Sequence, residues 1–413
     1  MDITATADTL DIERIRADFP ILSQTIHGKP LVYLDSAASA QKPTPVLNRI
    51  MQAYSEDYAN VHRGLHTLAN RSTEAYEGAR AIVRRFINAP STEEVIFTRS
   101  STEAINLVAG SYGRTHIGEG DEIVITVMEH HSNVVPWHFL RERQGAVIRW
   151  VGLREDGSLD MDEFEAALSE RTRMVAVVHM SNVLGTVNPV AEICRIARER
   201  GIATLVDGSQ STVHGPVDVQ AIGCDFFAFT GHKLYGPTGI GVLYGRREML
   251  EGMPPFLGGG EMIESVSRDA ITYAGLPNRF EAGTPPIVQA IGLGAAIEYV
   301  ESIGWDAITA HEASLTAYAR ERLRGVNALS LYGDAPNRGG VFAFNLEGAH
   351  PHDVSTILDR EGVAVRAGQH CTEPLMEALG INASCRASFG LYNTRAEVDR
   401  LAEAIEKAHR FFV

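Results

Sequence analysis

The sequence predicts an α/β fold: a mostly parallel sheet flanked by helices, followed by a smaller α+β C-terminal domain. Three observations predict it. Short apolar runs rich in Val and Ile alternate with longer stretches of helical period through the first half of the chain, and strands spaced by helices in this way form parallel sheets covered on both faces. A Gly- and Pro-rich stretch, 252–286, then ends the alternation. The length of 413 residues suits two domains at roughly 100–200 residues each.

Taken in order, strands are expected at 95–98, 123–128, 174–180, 203–207, 226–230 and 241–244. Helices are expected between most of them, at 73–87, 102–112, 135–143, 161–168 and 192–200. A long helix at 287–302 leaves the first unit. Beyond it, strands at 329–332, 340–346, 363–366 and 387–391 are separated by helices at 353–360, 374–379 and 396–411. The chain therefore divides into an N-terminal arm, 1–30, packing on the small domain; a large domain, 31–291; and a small α+β domain, 292–413. In parallel sheets ligands bind beyond the carboxyl ends of the strands, so functional residues are expected just after them.

Composition excludes several classes. Apolar residues make up 45% and charged residues 22%, as in a globular protein with a sizeable core. The net charge of −15 argues against a broad nucleic-acid-binding or anionic-membrane-binding face. The acidic segment Met1 to Phe19 lacks the apolar centre of a signal peptide, and no apolar run approaches the ~18 residues of a membrane span. The four cysteines form no C-x-x-C pair and no disulfide framework. A reducing, cytoplasmic setting with one working thiol is expected. There is no H-E-x-x-H motif, and His62 and His66 have no third ligand, so no metal site is expected.

The most informative segment runs from Ala203 to Lys233. One strand ends in Asp207-Gly-Ser-Gln and the next in Thr230-Gly-His-Lys, placing an acid and a lysine at one rim of the sheet. That pair suits pyridoxal phosphate: the lysine forms a Schiff base with the aldehyde, and the carboxylate keeps the pyridine nitrogen protonated so that the ring accepts electrons. A lone lysine is more often a surface residue; the paired placement reverses that balance. Ser100-Ser101-Thr102-Glu103 opens a helix after a strand. It reads either as a capping box or, with Thr230 and His232 beside Lys233, as a phosphate site at a helix N-terminus. Glu129-His130-His131 also follows a strand, where a histidine can stack on a cofactor ring and move a proton. Asn182 is placed to meet a ring oxygen or a substrate carboxylate, or is a turn asparagine. Arg366-Ala-Gly-Gln-His-Cys371 carries an arginine suited to a carboxylate and a cysteine on a glycine-bearing loop next to His370. Cys194, Cys224 and Cys385 read as packing residues.

Taken together, Tyr33-Leu-Asp-Ser-Ala-Ala-Ser, Val61-His-Arg-Gly-Leu-His, Ser101-Thr-Glu-Ala-Ile-Asn, Glu129-His-His-Ser-Asn, Asp207-Gly-Ser-Gln, Thr230-Gly-His-Lys, Arg279-Phe-Glu-Ala-Gly-Thr and Arg366-Ala-Gly-Gln-His-Cys closely resemble the SufS-type (group II) cysteine desulfurases, which are class V aminotransferases of fold type I. The resemblance spans nearly the whole chain and implies a seven-stranded, aspartate aminotransferase-like large domain that binds pyridoxal 5'-phosphate. It implies that Lys233 holds the cofactor, Asp207 pairs with the pyridine nitrogen, Gln210 bonds the ring oxygen and His130 stacks on the ring. Ser101, Thr102, Thr230 and His232 would hold the phosphate, with Thr284 reaching in from the neighbouring subunit of a homodimer. Asn182 and Arg386 would bind the substrate carboxylate, Arg366 would order the loop, and Cys371 would be the nucleophile. The loop departs from the usual Arg-x-Gly-His-His-Cys-Ala pattern at Gln369 and Thr372.

The resemblance implies conversion of L-cysteine to L-alanine with a persulfide on Cys371, passed to an acceptor of the SufE or SufU kind for iron–sulfur cluster assembly. The Gly-rich stretch 257–264 falls where the family carries a hairpin bordering that partner surface. Two other readings stand beside it. One is a selenocysteine lyase, or another class V lyase or transaminase in which Cys371 is incidental. The other is a non-catalytic protein that keeps the fold as an interaction surface.

Overall fold

The structure is a computed structural model and describes residues 10–412. Seven strands form the large sheet: β1 (Val95–Thr98), β2 (Glu122–Thr126), β3 (Val147–Val151), β4 (Thr172–Val178), β5 (Ala203–Asp207), β6 (Phe226–Thr230) and β7 (Gly241–Gly245). Their spatial order is β1-β7-β6-β5-β4-β2-β3. Only β7 runs against its neighbours; β6-β5-β4-β2-β3 pair in parallel. Every residue of β1, β2, β5, β6 and β7 is buried, because helices cover both faces.

The expected order of large-domain strands is present, with β3 added. β3 is the edge strand, and its residues are exposed or half-buried except Val151. Val-Ile-Arg-Trp-Val therefore carries no continuous apolar run to mark it. Helices Thr44–Glu56 and Trp305–Arg324 are likewise additions. In the latter, Glu312 is 7% exposed and meets His214 at 2.8 Å, so a polar pair on the buried face breaks the apolar period. Helix Ile287–Ile303 is buried almost all round against helices Thr44–Glu56 and Thr67–Phe86, which explains its apolar composition. Among the described residues, no single helix is long and apolar enough to cross a membrane.

The expected loop region 252–286 contains a two-stranded hairpin, Ile263–Val266 with Ile271–Tyr273, and the glycines at 258–260 lie just before it. In the small sheet, Leu329–Tyr332, Val341–Leu346, Ser384–Ser388 and Arg366–Gly368 lie in that order, all antiparallel. Two expected strands change. The run at 363–366 splits: Val363–Ala364 pairs with Val32–Tyr33, and Arg366–Gly368 joins the small sheet. The strand expected at 387–391 is Ser384–Ser388, whose polar residues are all buried.

Residues 1–9 of the expected arm lie outside the described residues. Farther along, Arg16 donates to the Tyr392 carbonyl at 2.6 Å and pairs with Glu397, while Lys29 pairs with Glu361. The Arg16–Glu397 pair sets this segment against the last helix, Arg395–Phe412, and the parallel strands β2, β4, β5 and β6 send their carboxyl ends to one rim.

Candidate active site

A cavity of about 640 Å³ opens at this rim. It is lined by all the candidate residues except Gln210 and Thr284, and Cys371 lies on its wall with Lys233. Gln210 is buried and donates to the Ala37 carbonyl at 2.8 Å, so it braces the segment that carries Ala37 into the cavity. Thr284 lies in a neighbouring cavity of about 270 Å³, with Arg99, Glu103 and Phe256.

The acid and the lysine are set by two strand ends. Asp207 closes β5 and is 3% exposed, with one carboxylate oxygen accepting the Ser209 N–H at 2.9 Å. The turn after it needs glycine: a Cβ on Gly208 would sit 1.9 Å from the Phe227 ring. Lys233 follows β6. Burial pulls its amine down to about 8, while the Asp207 carboxylate opposes the shift. An amine so placed gives up its proton far more readily than a surface lysine.

Ser100 caps the helix that starts at Ser101, its hydroxyl accepting the Glu103 N–H at 3.3 Å. Ser100, Ser101 and Thr102 at this helix start line the cavity beside Thr230 and His232, a cradle of hydroxyl, imidazole and free first-turn N–H donors that suits an anion. β7 fixes the cradle's position, because a Cβ on Gly241 would lie 2.3 Å from the Ser100 carbonyl carbon. Burial, then the Lys233 charge, holds His232 down at about 4.

His130 accepts the Ser132 N–H at Nδ1, 3.2 Å away, so its proton sits on Nε2. Burial, then the Lys233 charge, lowers it to about 4 and keeps the ring neutral. Beneath it, Glu129 is fully buried and accepts from Thr126 Oγ1 at 2.6 Å, the Val178 N–H at 3.0 Å and Asn133 Nδ2 at 2.7 Å. Burial pushes this carboxyl up to about 8.

The cysteine loop is strained and tied down. His370 and Cys371 have φ of 56° and 58°, the left-handed region that costs non-glycine residues roughly 1–2 kcal/mol each. Hydrogen bonds offset this. The His131 N–H donates to the Cys371 carbonyl at 2.7 Å and Asn182 Nδ2 to the His370 carbonyl at 3.0 Å. The two residues that depart from the family pattern also act here: Thr372 Oγ1 donates to the Gln369 carbonyl at 2.9 Å, and Gln369 Nε2 to Glu373 at 3.2 Å. His370 points Nε2 at the Ser384 carbonyl, 3.0 Å away, and burial lowers it to about 3. It therefore tethers the loop to the small sheet as a neutral ring. Of the four cysteines only Cys371 is exposed; burial pushes Cys194 and Cys385 up to about 12 and raises Cys224 strongly.

Arg366 and Arg386 meet through a residue that sequence reasoning assigned no role. Asp35 accepts from Arg366 Nη2 at 2.8 Å and from Arg386 Nη2 at 3.2 Å. Its signal was present in Tyr33-Leu-Asp-Ser, a strand running into an acid, but nothing local to the sequence names its partners more than 300 residues away. Arg386 is 2% exposed and also donates to the Asn182 carbonyl, leaving its Nε and the Asn182 Oδ1 without partners. A carboxylate and an amide-seeking group bound there would satisfy both. Amine, buried acid and anion-suited donors on one rim fit a phosphorylated aldehyde with a basic ring nitrogen, and Ser209, whose Oγ is buried and unpartnered, lines the same cavity.

Comparisons with known proteins agree with this geometry. The family model for class V aminotransferases matches residues 32–401. The chain is 53% identical over 403 residues to a probable cysteine desulfurase of Halalkalibacterium halodurans, covering 98% of this chain and 99% of that protein. It is 54% identical over 400 residues to a cysteine desulfurase of Pectobacterium atrosepticum, covering 97% and 98%. The crystal structure of the cysteine desulfurase CsdA from Escherichia coli, in its S-sulfonic acid form, superposes with a TM-score of 0.91 at 40% identity over 98% of this chain and 100% of that one. The apo cysteine desulfurase of Thermococcus onnurineus gives the same score and identity over 97% and 98%. With this fold, this rim of residues and relatives matched over almost their full length, the chain belongs to the class V aminotransferase family, among its cysteine desulfurases.

Proposed function

We propose that this enzyme takes the sulfur atom of L-cysteine onto Cys371, releases L-alanine and passes the sulfur to an acceptor protein of the SufE or SufU kind, for iron–sulfur cluster assembly in the cytoplasm. The observation that carries the reading is that the one exposed cysteine opens on the same cavity as Lys233 and Asp207.

Lys233, Asp207, His130, Ser101, Thr102, Thr230 and His232 would hold pyridoxal 5'-phosphate, with Gln210 bracing the wall behind. When bound, that group supplies a sink for the electrons released at the substrate Cα. The chain does the rest. Arg386 donates to the substrate carboxylate through its unpartnered Nε, and Asn182 Oδ1, an acceptor, reaches that carboxylate through a water that donates to both. Lys233, with its lowered proton affinity, removes the Cα proton and returns it. Asp207, buried at the end of β5, would pair with the ring nitrogen of that group. Cys371 thiolate attacks the substrate sulfur: the S–S bond forms as the Cβ–S bond breaks, and the carbon fragment takes up a proton and leaves as L-alanine. Residues 31–291 thus hold the cofactor, and 292–413 deliver Arg366, Cys371 and Arg386.

The reading includes a homodimer. Met51, Tyr54, Tyr58 and Leu65 leave an exposed apolar patch along one helix and the loop after it, and Thr284 lies outside its own chain's Lys233 cavity, where it is free to complete a partner's cradle. The deciding experiment is incubation with L-cysteine followed by mass spectrometry of the peptides. One added sulfur on the Cys371 peptide, lost in Cys371→Ser, is expected; sulfur elsewhere overturns the reading. A Cys371→Ser variant that still acts on selenocysteine identifies a lyase instead.

A further inference from the structure

β1 is an outer strand of the large sheet, and an ion pair stands where a further strand would lie. β7 pairs with one edge of β1. On the other edge Arg80 Nη1 donates to the Val95 carbonyl at 2.8 Å, and the Phe97 N–H donates to Glu281 Oε1 at 2.7 Å. Backbone groups two residues apart point to the same side of a strand, so one Arg–Glu pair closes an edge that would otherwise be open.

The pair is buried and fully bonded. The Arg80 and Glu281 side chains are 1% and 6% exposed. Arg80 forks onto Glu281, with Nη1 at 2.6 Å from Oε1 and Nη2 at 2.9 Å from Oε2, and the Tyr76 hydroxyl donates to Oε2 at 2.9 Å. The Arg80 guanidinium also lies against the Phe97 and Tyr76 rings, and its Nε donates to Glu77 at 2.9 Å. Tyr76, Glu77 and Arg80 belong to the helix Thr67–Phe86. Glu281 lies in no regular element: it follows the short turn Asn278–Phe280 and precedes Ala282, Gly283 and Thr284.

The two things this carboxylate touches differ in their other support. β1 is paired with β7 along all four of its residues. The 281–284 segment has main-chain bonds only to other loops, from the Glu281 N–H to the Asn278 carbonyl and from the Gly283 N–H to the Gly260 carbonyl. Loss of the carboxylate therefore leaves β1 in place and frees the segment that carries Thr284.

We propose that Glu281, locked by Arg80, is the positioning residue for Thr284, and through it for the phosphate site of the neighbouring subunit rather than that of its own chain. This rests on the homodimer reading above, in which Thr284 serves the partner's Lys233 cavity.

The test uses dimers built from two differently tagged chains and purified through both tags, with Lys233→Ala on one chain so that a single Lys233 remains. Pyridoxal phosphate is titrated in, fixed on Lys233 with borohydride and counted by mass spectrometry. In the first arrangement Glu281→Gln lies on the chain that keeps Lys233; in the second it lies on the Lys233→Ala chain. The first is expected to bind as the parent hybrid does. The second is expected to bind about tenfold more weakly, the scale of one charge-assisted hydrogen bond lost to phosphate. A merely structural role gives the reverse, because damage to the altered chain weakens the site which that chain itself carries. The reverse pattern, equal effects or no effect overturns the proposal. If Glu281→Gln leaves the buried Arg80 charge too poorly paired for the chains to assemble, Arg80→Met/Glu281→Gln removes that charge with its partner and must give the same crossed pattern. Thr284→Ala, placed in the same two arrangements, separates the two ideas. Crossing for Thr284→Ala without crossing for Glu281→Gln sinks this inference alone; no crossing for Thr284→Ala sinks the dimer reading and this inference with it.

Discussion

His130, His232 and His370 sit around one cavity with their proton affinities lowered to about 4, 4 and 3, in each case first of all by burial. Each is neutral in the fold and ordinary, at 6.5, in the unfolded chain. Between about 4 and 6.5 the unfolded chain therefore binds more protons, and stability falls as the pH drops through that window. Urea titrations of the cofactor-free protein are expected to show a lower midpoint at pH 5 than at pH 7.5. His370→Asn, which keeps a donor for the Ser384 carbonyl without a titrating ring, is expected to lessen the difference; an identical pH dependence would count against a neutral His370. Gln369 fits the same picture. A histidine there could titrate, whereas its amide holds Glu373 through a donor that does not change with pH.

At the scale of elements, Gly241 decides where the cradle sits and Gly208 where the acid sits. Gly241 lets β7 press against Ser100, and a methyl group there meets backbone that cannot yield. Gly241→Ala is expected to cost about 1–3 kcal/mol, as overpacked cores do, and to weaken retention of pyridoxal phosphate on dialysis. Gly78, in the helix Thr67–Phe86, has nothing within 4 Å of an added Cβ. Gly78→Ala should therefore stabilise by about 0.4–1 kcal/mol with the cofactor held as before; thermal melts and absorbance of the two dialysed proteins make the comparison. The elements that sequence periodicity misses share one cause. β3 is an edge with alternating exposure, and Trp305–Arg324 buries Glu312 against His214. In both, pairing partners supplied by the fold replace the apolar period that a linear reading detects.

For the whole molecule, the proposed dimer makes a strict expectation. Thr284 and Lys233 line different cavities of one chain, so they would serve one site only across two chains. Lys233→Ala and Thr284→Ala homodimers should both be impaired. Mixed and reassembled, they should form hybrids with one intact site, in which a normal Lys233 meets a normal Thr284 from the other subunit. Random reassembly makes about half of the dimers hybrids, each with one working site of two, so activity recovered toward about a quarter of that of wild type at matched site concentration is the expected result. Mixtures no better than the average of the parents would mean that Thr284 does not act across the interface.

The sequence by itself determined which chemistry the chain carries. Alternating periods set the α/β order, and strand-end clusters placed Asp207, Lys233, His130 and Asn182 on one rim, because a parallel sheet sends its carboxyl ends the same way. Four cysteines reduced to Cys371 for a similarly local reason, its glycine-bearing loop. Tertiary structure alone decided the charges. Asp35 meets Arg366 across 331 residues and Arg386 across 351, and the Cys371 turn is held by His131 and Asn182 from the large domain's strand ends. Proton affinities and ion pairs depend on burial and on neighbours within a few ångströms. Both arise only when segments distant in sequence close on one another, so no local pattern could announce them.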